Sequence, residues 1–291
     1  MSKSDRVNQL SNPQNYDVNK MIFSAPQLGS VPNTPIVFKR ISISTLNNDK
    51  TIGDLIFPTE ELFSFGVSEN KNPETKKVNG HVLPLCLWRK EGPTNEEKRW
   101  TDTFNSVVEH CKKHLIENKE AIEQYDLSES DLKKLNPLYW KKEKGKIVEG
   151  QGPTLYAKLI ASKKHNKILS MFFNHNGDVI EPMSVLGKYC YVRAAVKIES
   201  VFVGNKISLQ VKLYEAEIRL MDGGMKPLMS RPKTSGLLLN NNSNPPVADS
   251  EDGDDGSLNN SENEDDFPAP VPAPTVQPVK KVVKRVAAKK P

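Results

Sequence analysis

The stretch from Tyr189 to Leu220 constrains the fold more than any other part of this sequence. Two runs rich in β-branched residues flank Gly204 and Asn205, residue types that suit a tight hairpin loop. A two-residue loop there pairs Val203 with Lys206, so directly opposed residue numbers sum to 409. One face then takes Cys190, Val192, Ala194, Val196, Ile198 and Phe202 with Ile207, Leu209, Val211 and Leu213, an apolar surface that has to be covered. The other takes Tyr191, Arg193, Ala195, Lys197 and Glu199 with Ser208, Gln210, Lys212, Tyr214 and Ala216, and is polar and basic with two rings.

Shorter strand signals supply the cover. Thr34 to Thr45 alternates except for one slip at Lys39 and Arg40, as a bulge would cause. Leu55, Ile56 and Phe57 form a short strand that ends at Pro58. Further strands are expected at Val82 to Trp88, Thr154 to Ser162 and Lys167 to Asn174. One long helix interrupts them: Thr94 caps it with Glu97 three residues on, and Trp100, Phe104, Val107, Val108, Cys111 and Leu115 keep helical spacing. Its other side carries Lys98, Arg99, Lys112 and Lys113. Asp126 to Trp140 is a weaker helical or turn segment leading into the Lys-rich stretch Lys141 to Lys146. The order of strands, one long inserted helix and more strands predicts a mainly β, α+β protein built on an OB-type β-barrel.

Charge and composition divide the chain into three. Residues 1–33 are rich in Asn, Gln, Ser and Pro and read as an N-terminal arm with little secondary structure of its own. Residues 34–225 carry the periodic apolar pattern and form the expected binding domain. Residues 226–291 read as a disordered tail, acidic over 249–266, Pro-rich over 268–278 and basic over 280–290. The formal net charge of +5 hides this segregation: removing the tail's nine acids and six bases leaves residues 1–240 near +8. A basic domain has two partners for its positive surface, an external polyanion and its own acidic run. Three scattered cysteines, Cys86, Cys111 and Cys190, argue against a disulfide framework and for a reducing, intracellular setting. No apolar run is long enough to span a membrane.

The polar hairpin face is the first candidate binding surface. Lys197 lies opposite Lys212, an unfavourable like-charge pair unless an anion sits between them, and Tyr214 lies opposite Ala195. Rings among cations suit a single strand, because rings stack on bases while cations follow the backbone. Tyr191, Arg193, Lys197, Lys206, Lys212 and Tyr214 are the hairpin's candidates, joined by Lys39, Arg40 and Lys158 on neighbouring strands. The loop lysines Lys163, Lys164 and Lys167 and the pair Trp88 and Arg89 complete the set. A solvated sheet face of Lys, Glu and Tyr gives the same pattern, and Trp88 fits a core position equally well.

These residues also resemble a family. The segments LIFPTEELFSFGV, LPLCLW, GPTNEEKRWTDTFNSVVEHCKKHL, GPTLYAKL and KYCYVRAAVKIESVFVGNKISLQVKLYEAEIRL resemble single-stranded DNA-binding proteins of nucleocytoplasmic large DNA viruses, over roughly residues 35–225. The resemblance implies an OB fold, single-stranded DNA as partner, and a role in viral DNA replication, repair or recombination within a replication compartment of the host cytoplasm or nucleus. The run ENEDDF, with Asp265, Asp266 and Phe267, is similar to phage replication-protein tails that dock partners such as a DNA polymerase or other replisome proteins. Those tails end at the aromatic residue, whereas this chain continues into KKVVKRVAAKKP. A homo-oligomer is compatible with the sequence.

Catalytic chemistry finds no support in the pattern. His110, Cys111 and His114 lie within one helical turn but have no second ligand pair at metal spacing, and no phosphate loop or nucleophile elbow occurs. The expectation is a protein that is no enzyme, with no cofactor and no metal. The alternative is a replisome or virion scaffold acting mainly through protein contacts, which salt-sensitive oligonucleotide binding distinguishes.

Overall fold

The computed structural model describes residues 7–30, 37–72, 75–162, 165 and 167–221. Its strands are β1 (Met21–Phe23), β2 (Gln27–Ser30), β3 (Val37–Leu46), β4 (Ile52–Pro58), β5 (Leu62–Ser64), β6 (Ser68–Lys71), β7 (Val78–Cys86), β8 (Leu138–Tyr139), β9 (Lys142–Glu143), β10 (Lys146–Ile147), β11 (Thr154–Leu159), β12 (Ala161–Ser162), β13 (Lys167–Ile168), β14 (Met171–Asn174), β15 (Cys190–Val203) and β16 (Ile207–Leu220). The helix α1 (Asn95–Glu117) lies between β7 and β8.

Five strand positions close a barrel. β15 pairs antiparallel with both β4 and β5, which form successive pieces of one barrel edge interrupted at Pro58. Thr59 carries the ladder across the break by donating to and accepting from Ala194. From β5 the circuit runs through β7, β11 and β16 and returns to β15. Only β11 against β16 is parallel in this circuit. The β4/β5 edge counts as the first barrel strand, followed in sequence by β7, β11, β15 and β16. The ring order is then first, second, third, fifth, fourth, which is an OB-like order.

The long hairpin forms, with a different register. Its connection is Gly204, Asn205 and Lys206, three residues, so Val203 pairs with Ile207 and opposed numbers sum to 410 near the loop. Glu199 then bulges from β15 and restores a sum of 409 from Ile198 to Val196, where Lys197 does face Lys212. Tyr214 bulges from β16 and returns the sum to 410 for the rest. Each bulge reverses the in–out alternation of its strand. Val201, Val203, Ala216 and Ile218 therefore enter the main core. Phe202 is turned to the opposite face, where it packs on Phe38 at 4.6 Å. The expected pairing of Tyr214 with Ala195 is lost; Ala195 faces Glu215.

The slip seen near Lys39 and Arg40 is no bulge, since β3 keeps one register against β15. Ile41 and Ile43 face the main core while Phe38 faces the small Phe202 cluster, so the strand is buried on both sides. Apolar residues on both faces disturb the simple alternation without any backbone irregularity.

Helix α1 starts at the predicted capping box: Glu97 N–H donates to Thr94 Oγ1 at 3.1 Å, and Thr94 N–H donates to Glu97 Oε2 at 3.0 Å. Its apolar face buries Phe104, Val107, Val108, Cys111 and Leu115 completely in the core. Trp100 packs edge-on against Phe57 and donates its indole N–H to Pro58 O at 2.9 Å. Thr94→Ala should cost about 1 kcal/mol, read as a lower urea midpoint with unchanged slope. A midpoint equal to wild type would mean that Glu97, held by Arg89, orders the helix start alone.

The N-terminal segment is more structured than its composition suggests. β1 and β2 add to β3, Met21 is buried, and Tyr16 packs edge-on against Phe57 while sharing a hydrogen bond with Thr45 at 2.8 Å. Phe23 stacks on His114 of α1 with centroids 3.9 Å apart and planes 10° from parallel. Burial, then the neighbouring His110, holds the His114 pKa below its ordinary 6.5, with Glu117 opposing. The unfolded chain therefore binds this proton more readily. Stability supplied by neutral His114 should be complete above pH about 6.5 and decline as pH falls toward the lower folded value. Thermal unfolding at pH about 7.5 and about 5.5 should show a larger loss for wild type than for His114→Asn, and equal losses would refute the assignment.

Candidate nucleic-acid interface

The upper half of the hairpin, where sequence reasoning places a phosphate site, is occupied by the protein's own carboxylates. Lys197 Nζ lies 2.7 Å from Asp54 Oδ2, and Arg40 lies 2.7 Å from Glu199 Oε2, with Lys212 Nζ at 4.0 Å from the same oxygen. Arg40 Nε also donates to Ser200 Oγ, and Lys158 Nζ donates to Gln210 Oε1. Lys158, Lys212 and Lys197 sit side by side on three strands, but Lys212 is only 8% exposed. The like-charge pair Lys197–Lys212 is thus compensated by Asp54 and Glu199, which removes the reason for expecting a phosphate between the two lysines. Bulging Glu199 out of β15 is what sets its carboxylate among these cations.

Other candidates are tied elsewhere. Lys39 Nζ binds Glu123 at 2.8 Å and donates to Ala121 O. Trp88 is half-buried, donates its N–H to Thr101 Oγ1 and meets Trp140 edge-on at 5.3 Å, a packing role with no open ring face implied. Tyr214 is half-buried at its bulge, whereas Lys167 and Lys206 are exposed at turns. Lys163, Lys164, Asp265, Asp266 and Phe267 lie outside the described residues, as do residues 222–291.

A different surface emerges at the base of the hairpin. Pairing aligns Arg219 with Tyr191, Tyr191 with Phe63, Phe63 with Cys86, Cys86 with Thr154 and Thr154 with Tyr139. Each of these residues is at least partly exposed, while Ile218, Val192, Leu62, Leu85, Leu155 and Leu138 beside them enter the core. The six side chains therefore form one row on the outer face, crossing six strands. Five inter-strand steps make it about 24 Å long. Tyr156, two residues along β11 on the same face, adds a further ring, and burial pushes its hydroxyl pKa up.

Rings gather at one end of the row. Phe63 meets Phe65 at 5.2 Å, Tyr189 at 5.8 Å and Tyr191 at 6.3 Å, all edge-on. Tyr189 is 59% exposed and Phe65 43%, so ring surface remains open to solvent. Gly66, at φ +80°, makes this gathering possible: a Cβ there would collide with the backbone oxygens of Val185 and Lys188, which hold the segment leading to Tyr189.

One arginine stands against these rings. Arg219 stands over Tyr191, 4.5 Å from the centroid, and is held there by a two-pronged contact with Glu61, Nε to Oε1 at 3.1 Å and the terminal nitrogen to Oε2 at 2.8 Å. That contact, with the fields of Arg193 and Arg89, holds the Glu61 carboxyl below its ordinary pKa. Tyr191, Arg193 and Arg89 are thereby the sequence-predicted residues that the fold brings together. Phe63, Phe65, Tyr139, Tyr189 and Arg219 were not predicted. Their signal was readable only in part: Phe63 and Phe65 alternate with core residues in LFSF, but Arg219 faces Tyr191 only because Tyr214 bulges and moves the register one residue past the pairing at Lys197 and Lys212.

Among the described residues, no cluster of three or more His, Cys, Asp or Glu side chains could hold a metal ion. Cys111 is fully buried and its thiol is pushed up to about 12 by burial, while His110 and His114 turn toward Phe23. No helix among the described residues is long and apolar enough to cross a membrane.

Fold and surface together define a mainly β protein with an OB-like closed barrel whose outer face carries a row of side chains, three of them rings, that ends in Arg219. The chain belongs to the family described as "Protein of unknown function (DUF2738)", whose model matches residues 14–267. It is similar to "Uncharacterized protein 007R" of Invertebrate iridescent virus 3, at 27% identity over 245 residues, covering 80% of this chain and 51% of that protein. It is also similar to "Early 31 kDa protein" of Frog virus 3 (isolate Goorha), at 26% identity over 225 residues, covering 76% of this chain and 84% of that protein. The chain thus spans about half the length of the first relative and most of the second.

Proposed function

We propose that this protein binds single-stranded DNA, without strong sequence preference and without catalysis, along the outer face of its barrel. The observation that carries the proposal is the row Arg219–Tyr191–Phe63–Cys86–Thr154–Tyr139 with Phe65 and Tyr189 at its ring-rich end. Exposed rings accept any base, and an arginine beside them meets the backbone, which is the chemistry of a sequence-tolerant single-strand surface. The row crosses all five barrel strands, including the second and third that OB-like barrels use for oligonucleotides, where it carries Cys86 and Thr154 with Tyr156 alongside. Relatives from two viruses support a viral setting. A role in viral DNA replication, repair or recombination, in a replication compartment of the host cell, belongs to the same proposal and rests on the sequence alone. Docking of a polymerase or other replisome protein by Asp265, Asp266 and Phe267 belongs to the same proposal and rests on the sequence alone.

Anisotropy titrations of labelled single-stranded DNA, duplex DNA and RNA of equal length test it. Single-stranded DNA should bind most tightly, with affinity falling as salt rises. Equal affinity for single strand and duplex would remove the reading, because a duplex hides the base faces that the rings need. Absence of any salt-sensitive binding would favour the scaffold alternative.

A further inference from the structure

The hairpin β9–β10 plays no part in the row, yet it is built with some care. Glu143 pairs with Lys146 and Lys142 with Ile147, and the loop residues Lys144 (φ 50°) and Gly145 (φ 81°) both adopt left-handed backbone. Positive φ at both central positions is the type I′ turn that matches strand twist. Left-handed backbone is unfavourable for a lysine, and here it presents an ammonium at the tip. The base is fixed by Val148 N–H donating to Lys141 O, and by Trp140 against Trp88, whose N–H is held by Thr101 of α1.

Charge on this short ribbon is one-sided. Lys141, Lys142, Lys144 and Lys146 accompany a single acid, Glu143, which binds Lys141 at 3.2 Å. Lys142, Lys144 and Lys146 have no ion pair among the described residues, and all three are exposed. Residues 141–147 contain no aromatic side chain, so they can grip phosphates and cannot stack bases. Two residues before Lys141 stands Tyr139, the end of the row opposite Arg219. A merely solubilising loop needs neither the left-handed turn nor the indole anchor.

We infer that the β9–β10 hairpin is a second nucleic-acid site, a phosphate-backbone clamp that takes the strand where it leaves the row at Tyr139. The inference rests on the reading of the row as a single-strand surface. It makes binding depend on length: short strands occupy the rings alone, and longer ones also reach the lysines.

The full chain carrying Lys142→Gln, Lys144→Gln and Lys146→Gln tests this against oligo-dT of about 5 and about 15 nucleotides and against inorganic polyphosphate, which has no bases. Short-strand affinity should stay within about twofold of wild type. The long strand should bind about tenfold more weakly at low salt, with a salt slope lower by about 2, as three lost contacts to single-strand phosphates require. Polyphosphate binding should weaken too. A Phe63→Leu and Tyr191→Leu variant should instead weaken both DNA lengths and leave polyphosphate binding unchanged. A wild-type salt slope on the long strand overturns the clamp, whatever polyphosphate does. If the ring variant changes neither DNA length, the row fails, while a lowered slope in the lysine variant still supports the clamp.

Discussion

Replacing Phe63 and Tyr191 together by leucine should weaken single-strand binding by about 2–6 kcal/mol, since each ring that stacks a base contributes roughly 1–3 kcal/mol. In affinity this is a loss of about 30-fold to above 10⁴-fold. Leucine retains apolar volume at two half-buried positions, so the barrel keeps its fold while the flat ring faces disappear. The substitution also removes the ring beneath Arg219, although Glu61 still holds that guanidinium in place. Stacking releases few counterions, so the salt slope should remain close to wild type. The two rings are 6.3 Å apart, close enough that the single variants need not add up to the double. Titration of the three proteins with one labelled strand decides the matter. A double variant within about threefold of wild type would show that bases do not meet this row.

The class of fold was legible because its signals are local. The capping box at Thr94, the spacing from Trp100 to Leu115, the stop at Pro58 and a hairpin joined through Gly204 and Asn205 each follow from neighbouring residues, and each appears in the structure, the hairpin with Lys206 added to its loop. What the sequence hid was the effect of single inserted residues. Glu199 and Tyr214 each carry an alternation past one position, and no residue type announces a bulge in a strand of this composition. The consequences are large for the candidate site. The Glu199 bulge moves Phe202 out of the main core, and the Tyr214 bulge moves Ala216 into it and brings Arg219 opposite Tyr191. Lysine side chains misled for another reason: their partners Asp54 and Glu199 come from a strand far away in sequence and from a bulge, so the pairing is visible only in three dimensions. The ring row has the same character, because it draws its members from β5, β7, β8, β11, β15 and β16.

The ionic network that replaces the expected phosphate site carries its own consequence, with stability as the readout. Glu199 offers one carboxylate to Arg40 at 2.7 Å and Lys212 at 4.0 Å, and the three side chains are between 10% and 25% exposed. Removing that carboxylate leaves two cations of low exposure without the charge that offsets their lost hydration. Breaking such a pair by deleting one member costs about 3–5 kcal/mol, more than the pair contributes relative to apolar residues. Glu199→Ala should therefore lower the unfolding temperature by on the order of 10 °C for a domain of this size. Glu199→Gln should retain part of that stability through neutral hydrogen bonds. If Lys212 instead contacted DNA phosphate, Glu199→Ala would free it and tighten strand binding at low salt. The network predicts little change in affinity per folded molecule, because Lys212 lies beneath the surface and its neighbour Lys197 remains bound to Asp54. Scanning calorimetry and a strand titration on the same protein separate the two. An unchanged unfolding temperature with tighter binding would return the binding face to the upper hairpin.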